Sequence, residues 1–225
     1  MKKGDQTRAA ILDAALDIAS RDGLEGLTIG LIAERLAMSK SGVFAHFGSR
    51  EELQIAVLKA YAQRFLDDVF FPALKEERGL ARLSAMFALW MARVQRVEIA
   101  HGCLFVSSAV EYDDRPGPQR DELVEVVGGW QREMLKATQQ AVAVGDLRAD
   151  VDAEQLVFEC YGLMLAVHHD ARLLRDPKAV ARGQAGFARL IDFWRVPETV
   201  GARRVLLGKG LRPVVDFKEA ELVAA

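Results

Sequence analysis

The chain is poor in the residues that staple or fragment a small fold. Its 225 residues hold only two cysteines, Cys103 and Cys160, too few for a disulfide framework. Six prolines, and no Val/Ile/Thr-rich alternating runs between turns, argue against a sheet protein. No stretch reaches eighteen uninterrupted apolar residues, so no membrane span is expected. The opening MKKGDQTRAA lacks the apolar stretch of a signal peptide, which makes a cytoplasmic location the expectation. Excess charge is missing as well. The formal net charge is −2, which supplies no bulk basic signature for nucleic acid. Residues 1–50 carry seven Lys/Arg (Lys2, Lys3, Arg8, Arg21, Arg35, Lys40, Arg50) against six Asp/Glu, a sum of only +1. Any DNA contact must therefore come from local placement.

What is abundant points to helix. The chain is 51% hydrophobic, enough to bury a sizeable core, and Ala, Leu, Arg and Glu dominate it. An all-α fold follows. Ile11, Leu12, Ala15, Leu16, Ile18 and Ala19 recur at helical spacing over residues 6–21, and Gly23 supplies a left-handed stop. Thr28 and Ser39 can cap two short helices, and Ser49 with Glu52 reads as a capping box opening a longer one. Pro72 predicts an end or kink of that fourth helix. Further helical patterns cover 80–97, 103–112, 119–144, 153–175 and 177–194, with Asp176-Pro177 opening the last and residues 111–122 the clearest loop. Residues 196–225 change character and read as a loosely packed tail; a docked strand through Val214-Val215 is the lesser option.

Two helices too short to stand alone, separated by Ala37-Met38-Ser39, describe a helix-turn-helix. The second helix of such a pair enters the DNA major groove N-terminus first. Its leading edge here is Ser39-Lys40-Ser41-Gly42, small hydroxyls, a cation and a glycine that allow backbone to approach bases and phosphates. Ile32, Leu36, Val43 and Phe47 would lock the pair onto the first helix. His46 and Arg50 follow where a phosphate strand would pass. The other reading of the same pattern is an ordinary helical corner.

The run T-I-x-x-I-A-x-x-L-x-M-S-x-S-G-V-F-x-H-F-x-S-R-E-E-L, within residues 28–53, resembles the N-terminal signature of the TetR family of transcriptional repressors. That resemblance implies a three-helix DNA-binding domain ahead of an all-α domain for a small-molecule effector and for dimerisation. The corresponding divisions are 1–50, 51–195 and the tail 196–225. Thr28, Lys40, Ser41, Gly42, Phe44, His46 and Arg50 match positions that commonly touch DNA in the family. Three departures stand out: Phe44 occupies a usual tyrosine position, Ser41-Gly42 replaces glycine or proline followed by threonine, and Met38 replaces a valine. The implied partners are a palindromic double-stranded operator and a second copy of the chain, with no membrane and no cofactor.

The resemblance also implies an effector cavity between the C-terminal helices. Trp90, His101, Trp130, Tyr161 and His168, each with an apolar body and a polar tip, are the candidates to line it. A mostly apolar effector is expected, since no arginine cluster occupies an inward face. Residues 156–169 are apolar almost all round, which predicts burial on every side. Phe187, Leu190, Ile191 and Trp194 are the expected seam of a four-helix dimer interface; the plainer alternative puts the last two helices in one monomer's core. His101-Gly102-Cys103 and His168-His169 invite a metal or catalytic reading. Adjacent helical histidines point about 100° apart, however, and a Cys/His pair alone specifies no nucleophile. The expectation is therefore no metal and no enzyme. The near-neutral N-terminal half supports one alternative, a helical small-molecule-binding protein without DNA function.

Overall fold

The computed structural model describes residues 3–197, all helix and turn apart from one isolated antiparallel bridge between Leu147 and Arg195. Nine helices are found among the described residues: α1 (Lys3–Asp22), α2 (Ile29–Arg35), α3 (Lys40–Phe47), α4 (Arg50–Phe65), α5 (Leu80–Arg93), α6 (Leu104–Tyr112), α7 (Pro118–Ala143), α8 (Ala153–Arg172) and α9 (Ala179–Trp194). None is long and apolar enough to cross a membrane.

The short helices begin where the hydroxyl residues dictate. Thr28 Oγ1 accepts from the Leu31 amide at 3.2 Å, Ser39 Oγ from Gly42 at 3.0 Å and Ser49 Oγ from Glu52 at 3.0 Å. Each cap stabilises its helix by about 1 kcal/mol. The capping box expected at Ser49 is only half formed, because the Ser49 amide donates instead to the Phe47 carbonyl at 2.7 Å. Ile11, Ala15, Ile32, Val43 and Phe47 close around one apolar centre, as their spacing requires. Core continues through Leu53, Val57 and Leu58 of α4, which packs against both α1 and α7.

Two helices do not stop where a simple α pattern would stop them. Beyond Phe65, α4 widens into a π-helical turn, Leu66–Phe70, then closes with Phe71–Ala73. Pro72 lacks the N–H that would reach residue 68, and its ring would crowd that carbonyl. The wider turn relieves both, with the Phe71 amide bonding five residues back to Leu66. The expected kink is thus a π turn. A second one, Val94–Glu98, extends α5 to Ile99–His101.

Other boundaries also move. The loop expected over 111–122 shrinks to 113–117, because α6 runs through Tyr112 and Pro118 opens α7. Pro177 does not open the last helix. Asp176 instead closes a turn, taking the Lys178 amide on Oδ1 and the Ala179 amide on its carbonyl, so α9 starts at Ala179. At the C-terminal end the Val196 amide bonds to the Asp146 carbonyl at 3.0 Å. Residues 198–225, and with them the options for Val214-Val215, lie outside the described residues.

Candidate DNA-binding surface and effector cavity

The α2–α3 corner turns through Ala37, whose φ of +52° is a left-handed conformation that a non-glycine residue adopts at a cost. That turn leaves the N-terminal edge of α3 on the surface. Ser39, Lys40 and Ser41 are exposed, Gly42 and His46 are half-buried, and Phe44 is 53% exposed. Thr28 stands exposed at the start of α2, its hydroxyl hydrogen still free to donate. Ser39 and Ser41 place their hydroxyls 3.1 Å apart. One cation was missed by pattern reading: Arg8 of α1 lies over the Phe47 ring, 4.8 Å from its centroid, beside this face.

Arg50 is not free for a phosphate in the way its position suggested. Its Nε donates to the Leu27 carbonyl at 2.9 Å, and its Nη2 reaches both the carbonyl and the carboxylate of Glu25. It grips the α1–α2 connection instead. The same connection is held from α6: Glu111 Oε2 accepts from the Leu24 and Glu25 amides at 2.9 and 3.1 Å, and the Tyr112 hydroxyl donates to Glu25. Gln54 adds a bond to the Leu24 carbonyl at 2.8 Å. Gly23, at φ +84°, makes room for this grip, since a Cβ there would lie 1.9 Å from Glu111 Oε1. The hydrogen bond from Tyr112 holds the Glu25 carboxyl below its ordinary range despite some desolvation, with Arg50 assisting.

In the C-terminal half a cavity of about 420 Å³ opens between α4, α5, α6, α7 and α8, within the range of roughly 300–1,000 Å³ usual for small-molecule sites. Its wall is aromatic. Phe65 meets Trp130 edge-on at 4.8 Å and Trp90 at 5.5 Å, while Trp90 lies 5.8 Å from Trp130 and 5.9 Å from Tyr161. Trp90 and Trp130 are buried, and neither indole N–H has a hydrogen-bond partner in the protein. Burial pushes the Tyr161 hydroxyl up to about 12, keeping it a neutral donor. Charge appears only at the exposed rim, where Arg132 pairs with Glu125 at 2.9 Å beside Glu133.

Of the five residues expected to line a cavity, Trp90, Trp130 and Tyr161 do so and the two histidines do not. His101 is exposed. The π turn at 94–98 is the reason, because one extra residue rotates the following helix face by about 100°. His168 is buried but faces Glu98, its Nε2 2.8 Å from Oε2, and packs behind Trp90 rather than in the wall. Phe65 and Phe70 were not anticipated as lining. Five positions apart, they would sit about 140° apart on an α-helix, and the π turn after Phe65 brings both to the cavity.

The expected dimer seam also needs correction. Phe187 stacks on Phe87 of its own chain, with centroids 4.1 Å apart and planes at 11°, and Ile191 is 3% exposed. Both are spent inside the monomer, while Leu190 and Trp194 are half-buried. Periodicity identified the apolar face of α9 but not what it faces. Nor is α8 buried all round. Phe158 is 72% exposed and Leu165 39%, with Gly162 and Ala166 completing an exposed stripe at helical spacing.

Comparison with known proteins matches this arrangement at both ends. Residues 11–57 match the model of bacterial regulatory proteins of the tetR family, and residues 79–187 match the tetracyclin repressor-like C-terminal domain. The HTH-type transcriptional regulator SrpR of Pseudomonas putida is 24% identical over 182 residues, covering 79% of this chain and 80% of that protein. The transcriptional regulator AcuR of Cereibacter sphaeroides is 25% identical, covering 65% and 68%. A TetR-family regulator from Cytophaga hutchinsonii shares the fold, with a TM-score of 0.76 at 17% identity over 88% of this chain and 99% of that one. With a helix-turn-helix at one end, a helical ligand-binding domain at the other and family matches over both, the chain belongs to the TetR family of transcriptional regulators.

Proposed function

We propose that the protein is a homodimeric repressor, released from a palindromic operator by a small, mostly apolar effector that enters the aromatic cavity. Residues 1–50 form the DNA-binding unit and 51–195 the effector and dimerisation unit in this reading. Thr28, Lys40, Ser41, Phe44 and His46 face the operator, with Ser39 and Gly42 shaping the approach. The exposed stripe Phe158-Gly162-Leu165-Ala166 of α8, flanked by Phe193 of α9, meets its twofold copy. Twofold symmetry then calls for matched operator half-sites.

The observation that carries the effector reading is a cavity of about 420 Å³ walled by the rings of Phe65, Phe70, Trp90, Trp130 and Tyr161. The Tyr161 hydroxyl, kept neutral by burial, is the donor in that lining that a ligand acceptor would meet. With no cation on the aromatic wall and the rim Arg132 already paired with Glu125, a strongly anionic ligand is disfavoured. Two helices link the cavity to the DNA-binding unit. Phe105 and Val106 of α6 line the cavity, and Glu111 and Tyr112, about 9 Å along the same helix, grip the α1–α2 connection. Ala62, Phe65 and Leu66 of α4 line it too, while Gln54 and Arg50 hold that connection at the other end. An effector that prefers the conformation with wrongly spaced recognition helices shifts the population off DNA.

The experiment is a titration of apolar compounds bearing one hydrogen-bond acceptor. It follows tryptophan fluorescence and the gel-shift of DNA flanking the protein's own gene. A matching compound quenches fluorescence and weakens DNA binding together, and Trp130→Ala blunts both. DNA binding that no such compound alters would overturn the effector reading and leave the regulator intact.

A further inference from the structure

Three buried side chains from separate segments meet behind the cavity wall: Glu98 at the end of the second π turn, Cys103 just before α6, and His168 of α8. They are 0%, 5% and 3% exposed, and one ligand atom from each lies within 4.8 Å of the others. We propose that Glu98, Cys103 and His168 form a binding site for a borderline-soft divalent cation of the zinc type.

The polar atoms point to a missing partner. Although His168 Nε2 lies 2.8 Å from Glu98 Oε2, neither atom makes a well-formed hydrogen bond, and His168 Nδ1 has no partner either. Buried polar atoms are ordinarily satisfied, and a cation would satisfy one on each residue. The other carboxylate oxygen is already held. Glu98 Oε1 accepts from Arg93 Nε at 2.9 Å and from the Tyr61 hydroxyl at 3.3 Å, which orients Oε2 toward the histidine. Outer bonds of this kind commonly fix metal-binding groups.

The donor set selects the ion. Mg²⁺ and Ca²⁺ take oxygen donors, whereas one sulfur, one nitrogen and one oxygen suit zinc and its neighbours. Tetrahedral zinc ligands lie about 3.3–3.8 Å apart. Closing the site therefore needs His168 and Glu98 to part slightly and Cys103 to approach. Charge balances as well. A carboxylate and a thiolate neutralise a divalent ion, while the Arg93 guanidinium is balanced by Asp68. Zinc binds cysteine as the thiolate, so the ion must displace the thiol proton and binding tightens as pH rises. Three protein donors leave a position open to water or a small ligand. Because Cys103 directly precedes α6, occupancy would be felt along the helix that grips the DNA-binding unit. The site itself does not depend on the effector reading.

Full-length protein stripped with a chelator and titrated with Zn²⁺ and Co²⁺ tests this. One ion per chain, a near-ultraviolet thiolate-to-cobalt absorption band, proton release and a raised melting midpoint are expected. Cys103→Ser and His168→Gln should abolish the band or weaken binding by more than about tenfold, the scale on which even outer-shell partners act. Cys160→Ser and His169→Ala should retain it. The unaltered protein decides alone if a buried variant fails to fold. Absence of stoichiometric binding, absence of the thiolate band, or a band surviving Cys103→Ser would overturn the proposal and leave a metal-free buried charge cluster.

Discussion

The carboxylate of Glu111 accepts from the backbone amide of Leu24, 87 positions earlier, at 2.9 Å. A side chain of α6 thus supplies the acceptor for the connection that follows α1, with the Glu25 amide as its second donor. Removing a charged acceptor and stranding its donors costs about 1.5–3 kcal/mol. Glu111→Ala should speed hydrogen exchange at Leu24 and Glu25 by roughly tenfold or more, whereas Glu111→Gln should change it less. Unchanged exchange in the alanine variant would show that the contact couples nothing.

Lys40→Ala and His46→Ala should each weaken operator binding without altering the circular dichroism spectrum. If they act through phosphates, the salt slope of binding falls by about one for each phosphate no longer engaged. Phe44 offers the converse test. It is exposed on the same face, and Phe44→Tyr would add a hydroxyl able to reach a phosphate, so binding should tighten modestly. Arg50→Ala should instead lower the melting midpoint, because its guanidinium holds Leu27 and Glu25. Loss of DNA binding with an unchanged midpoint would return Arg50 to the operator face.

Phe158→Glu should yield a folded monomer by light scattering, since Phe158 is exposed on one chain and would face its copy. Ile191→Glu should behave differently. Its side chain is buried in the monomer, where an unpaired charge is costly enough to unfold or aggregate the protein. A Phe158→Glu variant that remains a dimer would move the interface elsewhere.

Glu25 gives the molecule an acid-sensitive joint. Its carboxyl is held below the ordinary range by the Tyr112 hydroxyl, with Arg50 and Arg115 adding charge. A lowered folded value means that the stabilisation is fully present above the unfolded carboxylate value of about 4.3. It is lost as pH falls through the lower folded value. Melting midpoints should therefore drop with acidification in that window, and Tyr112→Phe should shrink the drop. An identical pH profile in the variant would remove Glu25 from the account.

Features that depend on local chemistry were legible in the amino-acid order alone. Hydroxyl residues at 28, 39 and 49 begin helices because each can satisfy an amide that the helix leaves unpaired, and Gly23 ends α1 because its backbone must turn left-handed. Apolar spacing around Ile11, Ile32, Val43 and Phe47 determined the helix-turn-helix core, since those contacts lie within fifty residues of one another. The family motif falls in this same local stretch. Packing decided what depends on phase and partner. Two π turns rotated the helix faces after them, admitting Phe70 to the cavity and sending His101 to solvent. A helix face announces its apolarity but not its neighbour, so only the folded chain could assign Phe187 to Phe87 and expose Phe158. Glu111 on Leu24, and Glu98 with Cys103 and His168, meet across separations of up to 87 residues. No local rule carries such a meeting, because it exists only once the helices are stacked.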